Sequence, residues 1–329
     1  MTVSTEVTWV LDDIEMRGTC TCPDGEGPYP GVVMVAGSGP TDRDWCSPLL
    51  PGRNGSGKLL AEALAGAGIA SLRYDKRASG PDMVENAQKM MGRISMASHL
   101  DELVAAVGVL AAQPGVDKAR LVGLGNSEGT IHVLHYATTA ETIPLVGLVL
   151  VAPPGRSISQ VLLTQLALQA SATPGGDAMM PLIEAAAVRY SAGQPMDPDP
   201  SLPENVRLVL ASFETPINLP FARELWDEDA ADVLPKVTLP TLVMIGGHDA
   251  QVDAKLDGDP LQAAAAGRAN VTFAFPPEAN HVLKHDTRSP AEVAQAPTNG
   301  YNDEGTFLDP EALDIILTWL AGLFASVAK

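Results

Sequence analysis

The sequence predicts an α/β fold: a mostly parallel central sheet flanked by helices, with an inserted helical cap. Three observations predict it. Short, continuous apolar runs such as residues 31–36 (GVVMVA) have the composition of strands buried on both faces. Those runs alternate with segments of helical spacing, the pattern of a wound parallel sheet. From about residue 155 to about residue 234 the alternation stops, and the chain reads as helical and broken by prolines.

The elements follow in order. Residues 7–12 and 14–22 read as two antiparallel opening strands, and the Pro/Gly-rich residues 23–30 as a turn. Residues 31–36 are the first doubly buried strand. Residues 58–67 have helical spacing and stop at Gly68; residues 69–74 form the next strand. A helix is predicted over 95–112, ended by Pro114-Gly115, then a strand over 119–124 and a helix over 130–140. The strand 145–151 is closed by Pro153-Pro154. After the helical excursion the β rhythm resumes at 241–245 and 271–275, and an amphipathic helix over 310–327 ends the pattern. The predicted organisation is therefore a core in two parts, 1–154 and 235–329, with a cap at 155–234. An excursion of that length exceeds what a connection needs. It is placed over the carboxyl edge of the sheet, where open α/β folds bind ligands.

With 329 residues, 46% of them hydrophobic, the chain can bury a sizeable core. Its 40 acidic against 21 basic residues give a net charge of −19, which argues against nucleic acid and anionic membrane surfaces as partners. The sequence reads as having no apolar run long enough to span a bilayer. Residues 1–6 lack the basic and apolar regions of a signal peptide, so a cytoplasmic location is expected. The cysteines, Cys20, Cys22 and Cys46, are odd in number and read as reduced thiols. A small-molecule partner is expected, with no cofactor and no metal; a homo-oligomer is compatible with the sequence.

The most informative stretch is Leu121-Val122-Gly123-Leu124-Gly125-Asn126-Ser127-Glu128-Gly129. It is a buried strand running into Gly-x-Ser-x-Gly, a sharp strand-to-helix turn that lifts a serine hydroxyl above a sheet. Side chains at Gly125 or Gly129 would collide with neighbouring backbone. A serine hydroxyl needs a base, and the base needs an acid to fix its tautomer. In such folds the chain order is Ser, acid, His. Asp249 follows the strand 241–245 directly and is the predicted acid, with Asp253 as runner-up; the earlier strand end, Ala152-Pro153-Pro154-Gly155, carries no carboxylate. His281 follows the strand 271–275 and is the predicted base, with His285 as fallback. His248 reads as a loop residue. His132 and His135 lack an acidic partner in this reading and, like His99, are taken as structural. The oxyanion needs N–H donors. Glu128 supplies one from its backbone, and Ser38, with Gly37 as alternative, supplies the other from the loop after the first doubly buried strand.

Other signals fail. Gly52-Arg53-Asn54-Gly55-Ser56-Gly57-Lys58-Leu59 approaches a phosphate-binding loop but ends in Leu59, where a hydroxyl is required, and no GxGxxG opens a helix after the first strand. Asp42, Arg43, Asp75, Lys76 and Arg77 read as a charged network bracing the loop around Ser38, or as plain surface charge. In the cap, Met179, Met180, Phe213, Phe221 and Trp226 fit equally a substrate pocket and the cap's own packing. No substrate-binding residue is assigned.

Gly37-Ser38-Gly39-Pro40-Thr41-Asp42-Arg43-Asp44, Leu72-Arg73-Tyr74-Asp75-Lys76-Arg77 and the Ser127 pentapeptide, with Asp249 and His281, resemble the serine esterases of the α/β-hydrolase superfamily. The resemblance implies the α/β-hydrolase fold and cofactor-free cleavage of a carboxylic ester through an acyl-enzyme. Two positions depart from it: Asn126 stands where such esterases often carry His, and Ala78-Ser79-Gly80 replaces a more usual Gly-x-Gly. The stretch from Gly125 to His132 is similar, more narrowly, to zearalenone-type lactone hydrolases, which implies a macrolactone substrate. The alternatives are an acyltransferase or peptidase with the same triad, and a catalytically silent ligand-binding protein.

Overall fold

The computed structural model describes residues 2–139, 142–171 and 175–327. Its first half runs β1 (Thr2–Leu11), β2 (Ile14–Pro23), β3 (Tyr29–Val35), α1 (Ser56–Gly66), β4 (Ala70–Tyr74), α2 (Met83–Met90), α3 (Met96–Ala111), β5 (Val116–Asn126), α4 (Glu128–Thr139) and β6 (Gly147–Val151). A helical excursion follows: α5 (Ile158–Ser171), α6 (Met180–Ser191), α7 (Glu204–Ser212), α8 (Phe221–Leu225) and α9 (Ala230–Val233). The chain then returns through β7 (Thr241–Met244), α10 (Gly258–Ala264), β8 (Val271–Ala274), α11 (Pro290–Gln295) and α12 (Pro310–Val327). The final residue of the helix predicted over 130–140 lies outside the described residues.

One eight-stranded sheet, ordered β1-β2-β4-β3-β5-β6-β7-β8, joins these elements. β2 is antiparallel to β1 and β4, and every pair from β4 to β8 is parallel. The order matters for function. After β3 the chain winds outward to β4, then crosses back to β5 on the other side of β3. The carboxyl ends of β3 and β5 therefore adjoin, with Val35 opposite Gly125, at the switch point where open α/β sheets form a crevice. Asn126 is in register with Val151 and Val151 with Met244, so the loops after β5, β6 and β7 open on the same edge.

The centre of the sheet is buried because its strand segments there are apolar: Val32–Val35, Leu148–Val151 and Leu242–Met244 are all at most 1% exposed. Helix α12 lays Ala312, Ile316, Leu320 and Leu323 on the core at helical spacing. It also corrects the sequence reading on membranes, since by length and composition alone it could cross one; its acidic residues, Glu311 and Asp314, sit near its start and leave an apolar run behind them. Helices α2, α10 and α11 were not predicted. The last carries a readable signal, a capping box between Ser289 and Glu292 with Pro290 at its first position.

The excursion has its own core. Leu166, Ile183, Tyr190, Met196, Leu210 and Trp226 belong to an apolar cluster separate from the main one. Trp226 meets Tyr190 and Phe213 edge to face, at ring-centroid distances of 4.7 and 5.2 Å, and its indole N–H donates to Ser191 at 2.8 Å. From Ala230 onward the side chains rejoin the main core. Arg156, at the entrance, makes a bidentate pair with the buried Asp257. At the far side α8 is tied to the start of α3: the Phe221 N–H donates to the Ile94 carbonyl, and Glu224 accepts the Met96 N–H.

Candidate active site

Ser127 stands between β5 and α4 with φ of 55°, a left-handed conformation uncommon for a non-glycine residue. Its neighbours show why the turn needs glycine. A Cβ on Gly125 would lie 2.3 Å from the Gly129 carbonyl oxygen, and one on Gly129 would lie 2.5 Å from the Val35 oxygen. The turn is held by the Ser127 N–H on the Val151 carbonyl at 2.8 Å and by the Thr130 hydroxyl on the Ser127 carbonyl at 2.6 Å.

The acid and base predicted from chain order meet. His281 Nδ1 lies 2.8 and 3.0 Å from the two Asp249 oxygens. Asp249 Oδ1 also accepts the backbone N–H groups of Gln251 and Val252, which aims the carboxylate at the imidazole. Both residues are buried, and His281 shares a cavity of about 260 Å³ with Ser127 and Ser38. Ser127 Oγ makes no hydrogen bond among the described residues; nucleophile–base contacts commonly tighten only when substrate binds. The runners-up have other work. Asp253 caps the turn that follows it by accepting the N–H groups of Lys255 and Leu256, and His285 pairs with Asp309 at 2.9 Å. His248 donates to the Asp286 carbonyl, joining the loop of Asp249 to the chain just beyond His281.

Two partners of His281, and a buried lysine three residues beyond it, escaped the sequence reading. Asn126 donates its amide to the His281 carbonyl at 2.9 Å, so the residue that departs from the esterase pattern holds the His281 loop. Tyr301 stacks on the His281 ring at 6.4 Å and interplanar 19°, with its hydroxyl bonded to the Gln251 side chain. Burial, with the Asp249 carboxylate nearby, raises its phenol well above the usual range. Lys284, buried just beyond, donates to Asn54 O and to the Thr306 hydroxyl, and burial lowers its ammonium to about 8.

The charged network predicted around Ser38 is present. Arg43 donates from Nε and Nη2 to Asp75 Oδ2 and reaches Glu6; Asp42 accepts the N–H groups of Asp44 and Cys46. Arg77 joins Glu102 and Asp12. Lys76 donates to the Gly37 carbonyl at 2.7 Å and to Glu128 Oε1 at 3.1 Å. That first bond has a geometric consequence. In a trans peptide the C=O and N–H point opposite ways, so fixing the Gly37 oxygen on Lys76 turns the Ser38 N–H away from it. Neither the Ser38 nor the Glu128 backbone N–H has an acceptor among the described residues.

One sequence inference is overturned here. His132 does have an acidic partner: Glu128, one turn earlier on α4, lies 3.4 Å from its Nε2. Burial above all lowers the His132 imidazole to about 4, which leaves it neutral at pH 7. His99 Nδ1 pairs with Glu102 at 3.0 Å, and His135 pairs with Glu228. His99, Glu128 and His132 could offer three ligand atoms within 4.8 Å. Lys76 already neutralises Glu128, and Arg77 neutralises Glu102. A divalent cation would therefore add uncompensated charge in a buried site, and the cluster is an ion-pair network.

A larger cavity of about 690 Å³ lies on the other side of Ser38, between the charged network, α2, the start of α3 and α8. The five cap residues named from sequence divide here. Trp226 is buried in the excursion's own cluster, and Met179 and Met180 pack against it; Phe221 lines the cavity, and Phe213 touches both.

Comparison with known proteins agrees with this architecture. Over 270 residues the chain is 27% identical to Esterase EstD of Thermotoga maritima; the match covers 82% of this chain but only 58% of that protein's length. Among solved structures, VinJ superposes with a TM-score of 0.60 at 18% identity, covering 97% of this chain and 99% of its own. The proline iminopeptidase of Mycobacterium smegmatis does so with a TM-score of 0.56 at 17% identity, covering 98% and 99%. At such identities the two structures speak for the fold alone. A family model described as alpha/beta hydrolase family matches residues 32–296, from the first doubly buried strand past His281. The switch-point sheet, the strained serine turn and that match together place the chain in the alpha/beta hydrolase family.

Proposed function

We propose that the protein is a serine hydrolase that cleaves a carboxylic ester or lactone through an acyl-enzyme. The observation that carries the reading is the Asp249–His281 pair, 2.8 Å apart, whose imidazole lines the same cavity as the strained Ser127. His281 takes the Ser127 proton as the hydroxyl oxygen attacks the acyl carbon. Asp249 holds the Nδ1–H tautomer and stabilises the imidazolium. The backbone N–H groups of Ser38 and Glu128 receive the oxyanion. The tetrahedral adduct collapses, His281 protonates the departing alkoxide, and water then cleaves the acyl-enzyme with His281 again as base. Each proton transfer contributes on the order of 10²–10⁴-fold. Residues 155–234 act as the cap that shapes the substrate site.

The size of the second cavity favours a bulky substrate, a macrocyclic lactone included, over a short acyl ester. The similarity to Esterase EstD supports ester chemistry. The test is a panel of aryl esters, aliphatic lactones and a resorcylic macrolactone, with fluorophosphonate labelling, on wild type and Ser127→Ala. Turnover and labelling that both vanish in the variant support the mechanism, and the preferred class identifies the substrate. Transfer to an added alcohol in preference to water would replace hydrolase with acyltransferase; cleavage of amides in preference to esters would make it a peptidase. Wild type that neither labels nor turns over any compound would leave a silent binding protein.

A further inference from the structure

The large cavity is mostly apolar, with Gln88, Ser212 and Asn218 among the uncharged polar residues that line it and a charged group at its floor. Met83, Ile94, Ile217, Phe221 and Leu225 contribute to its walls, and Lys76, His99 and Glu128 are the charged or titratable groups that face it. Two of these groups are incompletely bonded. Glu128 is 3% exposed and uses Oε1 for both Lys76 and His132; its Oε2 has no partner among the described residues. His99 is 6% exposed and commits Nδ1 to Glu102; its Nε2 has no partner among the described residues. Neither atom is among the fully buried ones without a partner; both belong to residues that line the cavity, where a ligand's polar group can bond them.

The chemistry of that ligand group is narrow. Lys76 balances Glu128 and Arg77 balances Glu102, so the floor does not call for a further cation. Glu128 Oε2 accepts only. His99 Nε2 accepts when the ring is neutral and donates when it is protonated. A hydroxyl meets both atoms when the ring is protonated, accepting from Nε2 and donating its one proton to Glu128 Oε2; when the ring is neutral it donates to one of the two acceptors. The cavity meets the Ser127 cavity at Ser38, which lines both. We infer that the substrate carries, on one side of its reacting carbonyl, a bulky aromatic or alicyclic group whose hydroxyl is bound by His99 Nε2 and Glu128 Oε2 at the floor of this cavity. The inference deepens the esterase reading and rests on it only for the position of the carbonyl.

The test is calorimetric titration of the intact protein with 2-naphthol and 2-methoxynaphthalene, which differ in the hydroxyl donor. Wild type is expected to bind 2-naphthol about fivefold or more tightly than the ether, the size of one buried hydrogen bond. His99→Phe should weaken 2-naphthol by a similar factor and leave the ether within about twofold. Ala87→Trp, which fills the cavity from the half-buried face of α2, should weaken both about tenfold or more. Equal binding of the two probes by wild type, or no binding of either, overturns the inference without reference to any variant. So does binding that Ala87→Trp leaves unchanged. Fluorophosphonate labelling of Ser127 in the same samples reports on the hydrolase reading separately: labelling with equal probe binding sinks the hydroxyl subsite alone, and lost labelling with a retained naphthol preference sinks the mechanism alone.

Discussion

The cavity around Ser127 and the cavity beneath α8 share Ser38 but are walled by different kinds of interaction. Around Ser127, several side chains are fixed by directed bonds: Asp249 accepts from two backbone N–H groups and His281, and Asn126 holds the His281 carbonyl. Beyond Ser38, the walls are mainly apolar side chains set by the fit of the excursion against α2 and α3. Directed bonds fix atoms to a few tenths of an ångström, which proton transfer requires. Apolar packing fixes a volume, which selects a shape. On the proposed reading, reaction and selection sit side by side, and each should yield to perturbation without the other.

The sharpest way to break the comparison is on the polar side. Asp249→Asn keeps the shape but reverses the hydrogen-bonding sense toward His281 Nδ1. The expected result is a loss of about 10³–10⁴-fold in kcat for a good ester substrate. Binding of apolar ligands in the larger cavity should be unchanged. Steady-state kinetics and calorimetry on one preparation check both halves; a fall in both would show that the cavities are not independent.

The same contrast explains what could be read from sequence. Ser127, Asp249 and His281 follow strands directly, so chain order and parallel topology bring their loops to one edge before any packing is known. The terminal helix was predicted at its observed bounds, 310–327, because its apolar stripe repeats without a breaker. Tyr301 was invisible. It lies twenty residues beyond His281 in irregular chain, and its place depends on Gln251 and on long-range bonds such as Asn54 to Thr306. Glu128 was misjudged for another reason. Its backbone role drew attention from its side chain, although the i, i+4 spacing to His132 was a local signal. In the excursion, apolar residues at helical spacing do not say which neighbour they meet, so Phe221 and Trp226 looked alike in sequence and part company in the structure.

On the packing side, Trp226→Ala should have the next largest effect. Trp226 is 2% exposed, and its loss opens a large void between Tyr190 and Phe213. A destabilisation of about 3–5 kcal/mol is expected, confined to the excursion. It should show as an early unfolding step in denaturant, with turnover of bulky substrates reduced more than that of small aryl esters. One cooperative transition, shifted as a whole, would show that the excursion does not melt as its own unit.

Acid tests the ion pairs beneath both cavities. Burial raises the Glu102 carboxyl, but the His99 ring and Arg77 guanidinium overcome it and hold it at about 2, against an ordinary 4.5. The Glu128 carboxyl is lowered in the same sense. For a depressed carboxylate the stabilisation is complete above the unfolded value and is lost as pH falls from about 4.5 toward 2. For Glu102 this amounts to roughly 3 kcal/mol. Urea midpoints of wild type and Glu102→Gln should therefore converge between pH 6 and pH 2, and parallel curves would show that the pair adds no pH-dependent stability.

The smallest predicted effect is the most diagnostic of how the two sides are joined. Asn126 lies beside the nucleophile, lines the Ser127 cavity, and spends its amide on the His281 carbonyl. Asn126→Ala removes one buried hydrogen bond, about 1 kcal/mol, without touching the His281–Asp249 pair. If Asn126 acts by holding the base in place, kcat should fall about fivefold while KM changes less than twofold. Asn126→Asp keeps the size but offers only acceptors to a carbonyl oxygen, so it should be worse than alanine. A rise in KM at constant kcat would instead assign Asn126 to ground-state binding of substrate, moving it from the machinery that positions the base to the surface that recognises the ester.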